Sequence, residues 1–211
     1  EFVQFNVEIA SLDNDLQNFI NSNFSRFRNI EYSLKLLKKF ESILIRDSLK
    51  HDLSSKYNHV LNNYAAELNS VEKIFGEWRN NPPIVRNMPP EAGKISWAKH
   101  LFEKITKPIQ TLPSTPVNPQ ELKKYYGTYN NLGKQLTVYE MWYYQNWCNN
   151  IEKAKAGLQA TLIIRHNVTK KPVVNFDLEI FEVIREAKCL ERCGKNIPES
   201  ARIILLQEDK F

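Results

Sequence analysis

Four of the ten prolines in this 211-residue chain crowd into one stretch, Asn81 to Leu101, which reads NPPIVRNMPPEAGKISWAKHL. Pro82, Pro83, Pro89 and Pro90 each lock φ, remove a backbone donor and push the preceding residue out of helical space. No helix runs through such a stretch. Gly93 adds a position where positive φ is tolerated. A helical pattern then restarts with Ile95, Trp97, Ala98 and Leu101. Flexible linkers are rich in Gly and Ser, whereas this stretch carries Ile84, Val85, Met88 and Trp97, which favour burial. It therefore reads as a stiff corner between two long helical segments.

The sequence on either side is helical in period. Phe2, Phe5, Ile9, Leu12, Leu16 and Phe19 are spaced 3-4-3-4-3, a one-sided seam. Ile30, Leu34, Leu37 and Leu44 form a second seam. Leu53, Tyr57, Val60, Tyr64, Leu68, Val71, Phe75 and Trp78 form a third, with Arg46 to Leu53 as a joint or as part of one continuous rod. After the corner, Trp97, Leu101, Phe102 and Ile105 continue as helix until Pro108 kinks or ends it. LPSTPVNP (Leu112 to Pro119) is a second break. There Asn118 is a candidate cap, Pro119 fits the first helical position and Glu121 meets the positive end of the helix dipole.

The helix expected from about Pro119 to about Gly157 becomes aromatic all round at Tyr139, Trp142, Tyr143, Tyr144 and Trp147. Such rings cannot share one stripe. Either the helix is buried on several sides, or part of the belt, with Trp142, Tyr144 and Trp147 as candidates, meets another protein. The period then switches to alternation. TLIIRH and VVNFD predict a β-hairpin near Thr161 to Asp177, which must dock on helices because two strands alone are marginal in water. Asp177 is a candidate cap for a helix carrying Leu178, Phe181 and Ile184 that Gly194 ends. Pro198 starts a last helix.

The chemistry-bearing residues give no catalytic pattern. None of the six glycines opens a phosphate-binding loop with Lys-Ser or Lys-Thr at the required spacing. Cys189 and Cys193 lie one helical turn apart, yet no second Cys or His pair completes a four-ligand metal site. Cys148 with His166 lacks a local nucleophile motif. Glu182 to Glu186 read as a water-facing run, and no cofactor is expected. The charge of +5 is spread among interleaved acids, so a nucleic-acid partner is not expected. No apolar run approaches the ~20 residues a membrane span needs, so a membrane is not expected either. Three cysteines without pairing spacing suit a reducing compartment. The chain opens inside an apolar repeat and is read as a segment of a longer protein.

Two stretches carry a resemblance. The first is Asn81-Pro82-Pro83, Asn87-Met88-Pro89-Pro90, Gly93 and Trp97. The second is Arg165-His166, Val174 to Asp177, then Arg185-Glu186-Ala187 and Leu190-Glu191. In order and separation these resemble the N-terminal tail region of dynein heavy chains. The wording Gly93 to Trp97 is closer to axonemal outer-arm chains than to cytoplasmic ones, and Glu91 departs from the apolar residue usual in the family.

The resemblance implies a non-catalytic stem segment, with any ATPase outside it. Its implied partners are dynein intermediate chains, light chains, other heavy chains and docking proteins, in the cytoskeleton of a cilium or flagellum. A cytoplasmic dynein tail in cargo transport and a generic helical adaptor or membrane-surface bundle are the alternatives. The expected fold is mainly α, elongated bundles of long amphipathic helices with one small hairpin. Residues 1–80 and 94–211 would be helical segments joined by the corner at 81–93.

Overall fold

The computed structural model describes residues 2–112, 119–154, 163–174 and 179–210. Seven α-helices and one hairpin are found among them. The helices are α1 (Phe2–Phe24), α2 (Ile30–Lys39), α3 (Asp47–Trp78), α4 (Pro90–Gln110), α5 (Pro119–Ala154), α6 (Glu179–Arg192) and α7 (Glu199–Leu206). The hairpin strands are β1 (Ile163–Arg165) and β2 (Pro172–Val174). The chain is mainly α, as its periodicity predicts. The expected caps Asn118 and Asp177, the helix end near Gly157 and the side chains of the VNFD run lie outside the described residues.

The chain forms two compact units. One holds the residues up to Glu77 with Phe102–Gly133, the other Trp78–Leu101 with the residues from Lys134 onward. In the first unit the third seam is the backbone of the core. Leu53, Tyr57, Val60, Tyr64, Leu68, Val71 and Phe75 are all buried along α3, while Trp78 stays exposed. Leu34 and Leu37 of α2 and Ile20 of α1 pack against its first half. Asn29 caps α2 by accepting from the Glu31 N–H (2.8 Å). Helices α2 and α3 are separate, because a short 3-10 turn at Glu41–Ile45 interrupts them just before the expected joint. The buried Tyr64 hydroxyl donates to the Ile105 carbonyl (2.9 Å), which fixes α4 against α3.

Only part of the first seam is buried. Ile9 and Leu16 turn toward the unit, and the buried face continues through Ile20 and Phe24. Phe2, Phe5 and Leu12 are exposed, and Phe19, though exposed, meets the Phe40 ring edge-on. A seam spaced 3-4 contains two stripes, and here the unit covers one of them from Leu16 onward.

The second unit is built on Ala92 and Ile95 of α4, Trp147 and Ile151 of α5, Ala187 and Leu190 of α6, Ile197, and Ala201 of α7. Pro108 does not stop α4 at once, and the helix ends two residues later at Gln110. Helix α6 ends in a Schellman arrangement around Gly194 (φ 80°). The Lys195 N–H donates to the Leu190 carbonyl (3.0 Å) and the Gly194 N–H to that of Glu191 (2.9 Å). In the antiparallel hairpin Ile163 faces Val174 and Arg165 faces Pro172. The expectation that it docks on helices is not met in the described part. Ile163 and Ile164, on opposite faces, are both exposed, as is Val173.

Candidate functional site

The corner is where the second unit is fixed. The turn Val85 to Met88 closes with the Met88 N–H donating to the Val85 carbonyl (3.0 Å). The residue that takes positive φ there is Asn87 (69°), not Gly93. Short Asn side chains tolerate that region. Gly93 lies inside the first turn of α4, and its role is steric. A Cβ on it would stand 2.5 Å from Ile84 Cγ2. Glycine lets the corner fold back onto the helix it precedes. Pro82 and Pro89 are buried, while Pro83, Pro90 and Val85 are exposed. The expectation that the corner's apolar residues are buried therefore fails at Ile84 and Val85 and holds only in part at Met88 and Trp97.

A helix start leaves its first backbone donors without intrahelical partners. Usually a Ser, Thr, Asp or Asn just before the helix takes one, but here that position is Pro89. The structure meets the need in three ways. Pro90 has no N–H to satisfy. The Glu91 and Ala92 N–H groups donate to Oε1 and Oε2 of Glu186, each at 2.8 Å. The Gly93 N–H then opens the helical ladder on the Pro89 carbonyl (2.8 Å). Glu186 lies on α6, is buried, and caps α4 from outside with both carboxylate oxygens. The reading of Glu182 to Glu186 as water-facing is thus corrected: Glu182 is exposed, but Glu186 is not. Burial pushes the Glu186 carboxyl above the usual carboxylate range, and the two N–H bonds oppose that shift. At the far end, Lys99 Nζ donates to the Cys193 carbonyl (2.8 Å), so α4 in turn caps α6.

The aromatic belt of α5 splits into two faces. Trp147 is 5% exposed and sits in the core against Ala92 and Ile95. The Tyr139 hydroxyl donates to the Arg79 carbonyl (2.9 Å), and its ring meets Trp97 edge-on. Tyr143 lies under Lys94 Nζ (4.5 Å to the ring centroid). The half-buried Tyr144 donates to the Asn196 carbonyl, and Lys195 pairs with Glu140 (2.7 Å). These contacts hold the corner and the α6 terminus to α5. Trp142, by contrast, is 57% exposed and shares its face with exposed Val138 and Met141. Of the three residues read as a candidate partner surface, only Trp142 faces out fully. Val138 and Met141 were missed, although Val138 lies three and four residues before Met141 and Trp142, on the same helix face.

Among the described residues the structure brings no catalytic group together. Burial raises the Cys148 thiol, the opposite of what a nucleophile needs. His166 Nδ1 faces the Val168 and Thr169 N–H groups of its own turn (3.3 Å each). Among the described residues no three His, Cys, Asp or Glu side chains gather as a metal site. No helix among them is long and apolar enough to cross a membrane.

Two helical units, an externally capped corner and an aromatic belt facing two ways define a mainly α, helix-bundle kind of segment. The family model for dynein heavy chain, N-terminal region 1, matches residues 1–211. The chain is 39% identical over its full length to the dynein gamma chain of the flagellar outer arm of Chlamydomonas reinhardtii. It is 34% identical over its full length to dynein axonemal heavy chain 8 of Homo sapiens. Over 97% of its length it is 28% identical to the ciliary dynein beta chain of Heliocidaris crassispina. It spans about 5% of the length of each of these relatives. The chain belongs to the dynein heavy chain family, as part of its N-terminal tail region and not of its motor. The likeness to axonemal outer-arm chains read from Gly93 to Trp97 is upheld, and the relatives named are flagellar, axonemal and ciliary dyneins.

Proposed function

We propose that this segment is a non-catalytic scaffold in the stem of an axonemal heavy chain. It offers surfaces to intermediate chains, light chains and other heavy chains, and so helps to anchor the motor complex, with docking proteins as further partners. The observation that carries this reading is the two-faced belt of α5. One face is locked into the core by Trp147, Tyr139 and Tyr144, while Val138, Met141 and Trp142 stand exposed on the other. An apolar, aromatic patch on a rigid element is the usual composition of an interface centre. The ATPase would lie elsewhere in the heavy chain.

The test is recovery from axonemal extract by the immobilised chain, with blots for dynein intermediate chains, light chains and heavy chains. The reading expects one or more to be retained, and retention to weaken in Trp142→Ala with Met141→Ala. Recovery of none, with the chain a stable monomer, contradicts it.

A further inference from the structure

The outer stripe of α1 has a chemistry of its own. Phe5, Leu12 and Phe19 recur every seven residues and are 58%, 63% and 56% exposed, Phe19 with one edge against the Phe40 ring. At about 1.5 Å rise per residue they span roughly 21 Å of helix. Each of the first two is followed three residues later by an acid, Glu8 and Asp15, and both acids are exposed. The third acid, Asp13, is already committed, since it binds Arg46 (2.8 Å) and the Ser48 hydroxyl (2.8 Å). Neither Glu8 nor Asp15 has an ion pair among the described residues. From Phe2 to Phe24 the helix carries no Lys or Arg at all.

Exposed apolar residues lined up along one helix face form a surface that an amphipathic partner helix packs along. The residues beside such a surface choose the partner by charge. A second copy of this stripe would bring Glu8 and Asp15 against the same acids. We infer that the outer stripe of α1 receives an amphipathic helix of a partner chain, with Lys or Arg on its flank every seventh residue. The apolar stripe supplies the contact, and Glu8 and Asp15 select the basic flank. This deepens the scaffold reading by giving one partner's chemistry. Its surface lies in the first unit and its test uses defined peptides, so it fails independently of the extract experiment.

Two labelled helical peptides with the same Leu/Ile heptad seam, one flanked by Lys and one by Glu, are titrated against the intact chain by fluorescence anisotropy. The Lys-flanked peptide should bind about fivefold or more tightly, with the preference shrinking as salt rises. Glu8→Lys with Asp15→Lys should reverse the preference, and Leu12→Asp should weaken both peptides, with circular dichroism unchanged. Equal binding of the two peptides, or no binding of either at millimolar concentration, overturns the inference. So does a concentration-dependent dimer that Leu12→Asp abolishes, which would make a second copy the occupant.

Discussion

Replacing Glu186 should loosen the second unit more than any other single polar change described here. Glu186→Ala leaves two donors without partners. The Ala92 N–H is buried and that of Glu91 half-buried. An abandoned buried donor costs about 1–3 kcal/mol, and less where water reaches it. Relief of the buried carboxylate charge offsets part of this, so the net loss should be about 2–4 kcal/mol. Glu186→Gln keeps one acceptor and turns an NH₂ toward the other donor, for a loss of about 1–2 kcal/mol. Glu182→Gln, exposed on the same helix, should stay within about 0.5 kcal/mol of wild type. Urea unfolding followed by far-UV circular dichroism measures all three. A Glu186→Ala variant as stable as Glu182→Gln would refute the role given to this carboxylate.

The same group predicts a pH dependence. Its carboxyl is raised in the folded chain, so as pH climbs through the ordinary carboxylate range the unfolded chain releases its proton first. This contribution is full below that range and is lost as pH rises through the higher folded value. Wild type should therefore gain on Glu186→Gln as pH falls from 7 toward 4, and a constant difference would contradict the assignment. Trp147→Ala should cost about 3–5 kcal/mol, whereas Trp142→Ala should leave the melting temperature nearly unchanged, as differential scanning calorimetry would show. Gly93→Ala should destabilise by roughly 1 kcal/mol despite the better helix former, and Ile84→Ala should relieve it in a double-mutant cycle. Gly76→Ala, where a Cβ meets nothing within 4 Å, should stabilise by about 0.5–1 kcal/mol.

Where local pattern decides structure, the sequence was readable. The α3 seam predicts its buried residues from Leu53 to Phe75, because a 32-residue amphipathic helix has one consistent inner face. The corner follows from proline stereochemistry alone. Long-range partnership was not readable. Glu186 resembles Glu179 and Glu182 in sequence, and only the fold shows that it caps another helix. Two signals pointed that way. Pro89 and Pro90 leave α4 without a side-chain cap, and Glu186 precedes buried Leu190 by one turn. The α1 seam misled for a related reason. Its 3-4 spacing does not say which of two stripes the neighbours cover, and α2 and α3 cover the one through Leu16, Ile20 and Phe24. Trp142 and Trp147 are both aromatic on one helix, and five residues of helical rotation separate exposure from burial.

The claim on which the account rests is that Glu186 joins the corner to α6 through the Glu91 and Ala92 amides. Hydrogen exchange of those two amides, followed by nuclear magnetic resonance on the intact chain, reads it directly. First-turn amides of a helix ordinarily exchange fast for want of a partner. The account predicts slow exchange at both in wild type and fast exchange at both in Glu186→Ala, with the amides of α3 unchanged. Fast exchange at Glu91 and Ala92 in the wild-type chain would contradict it.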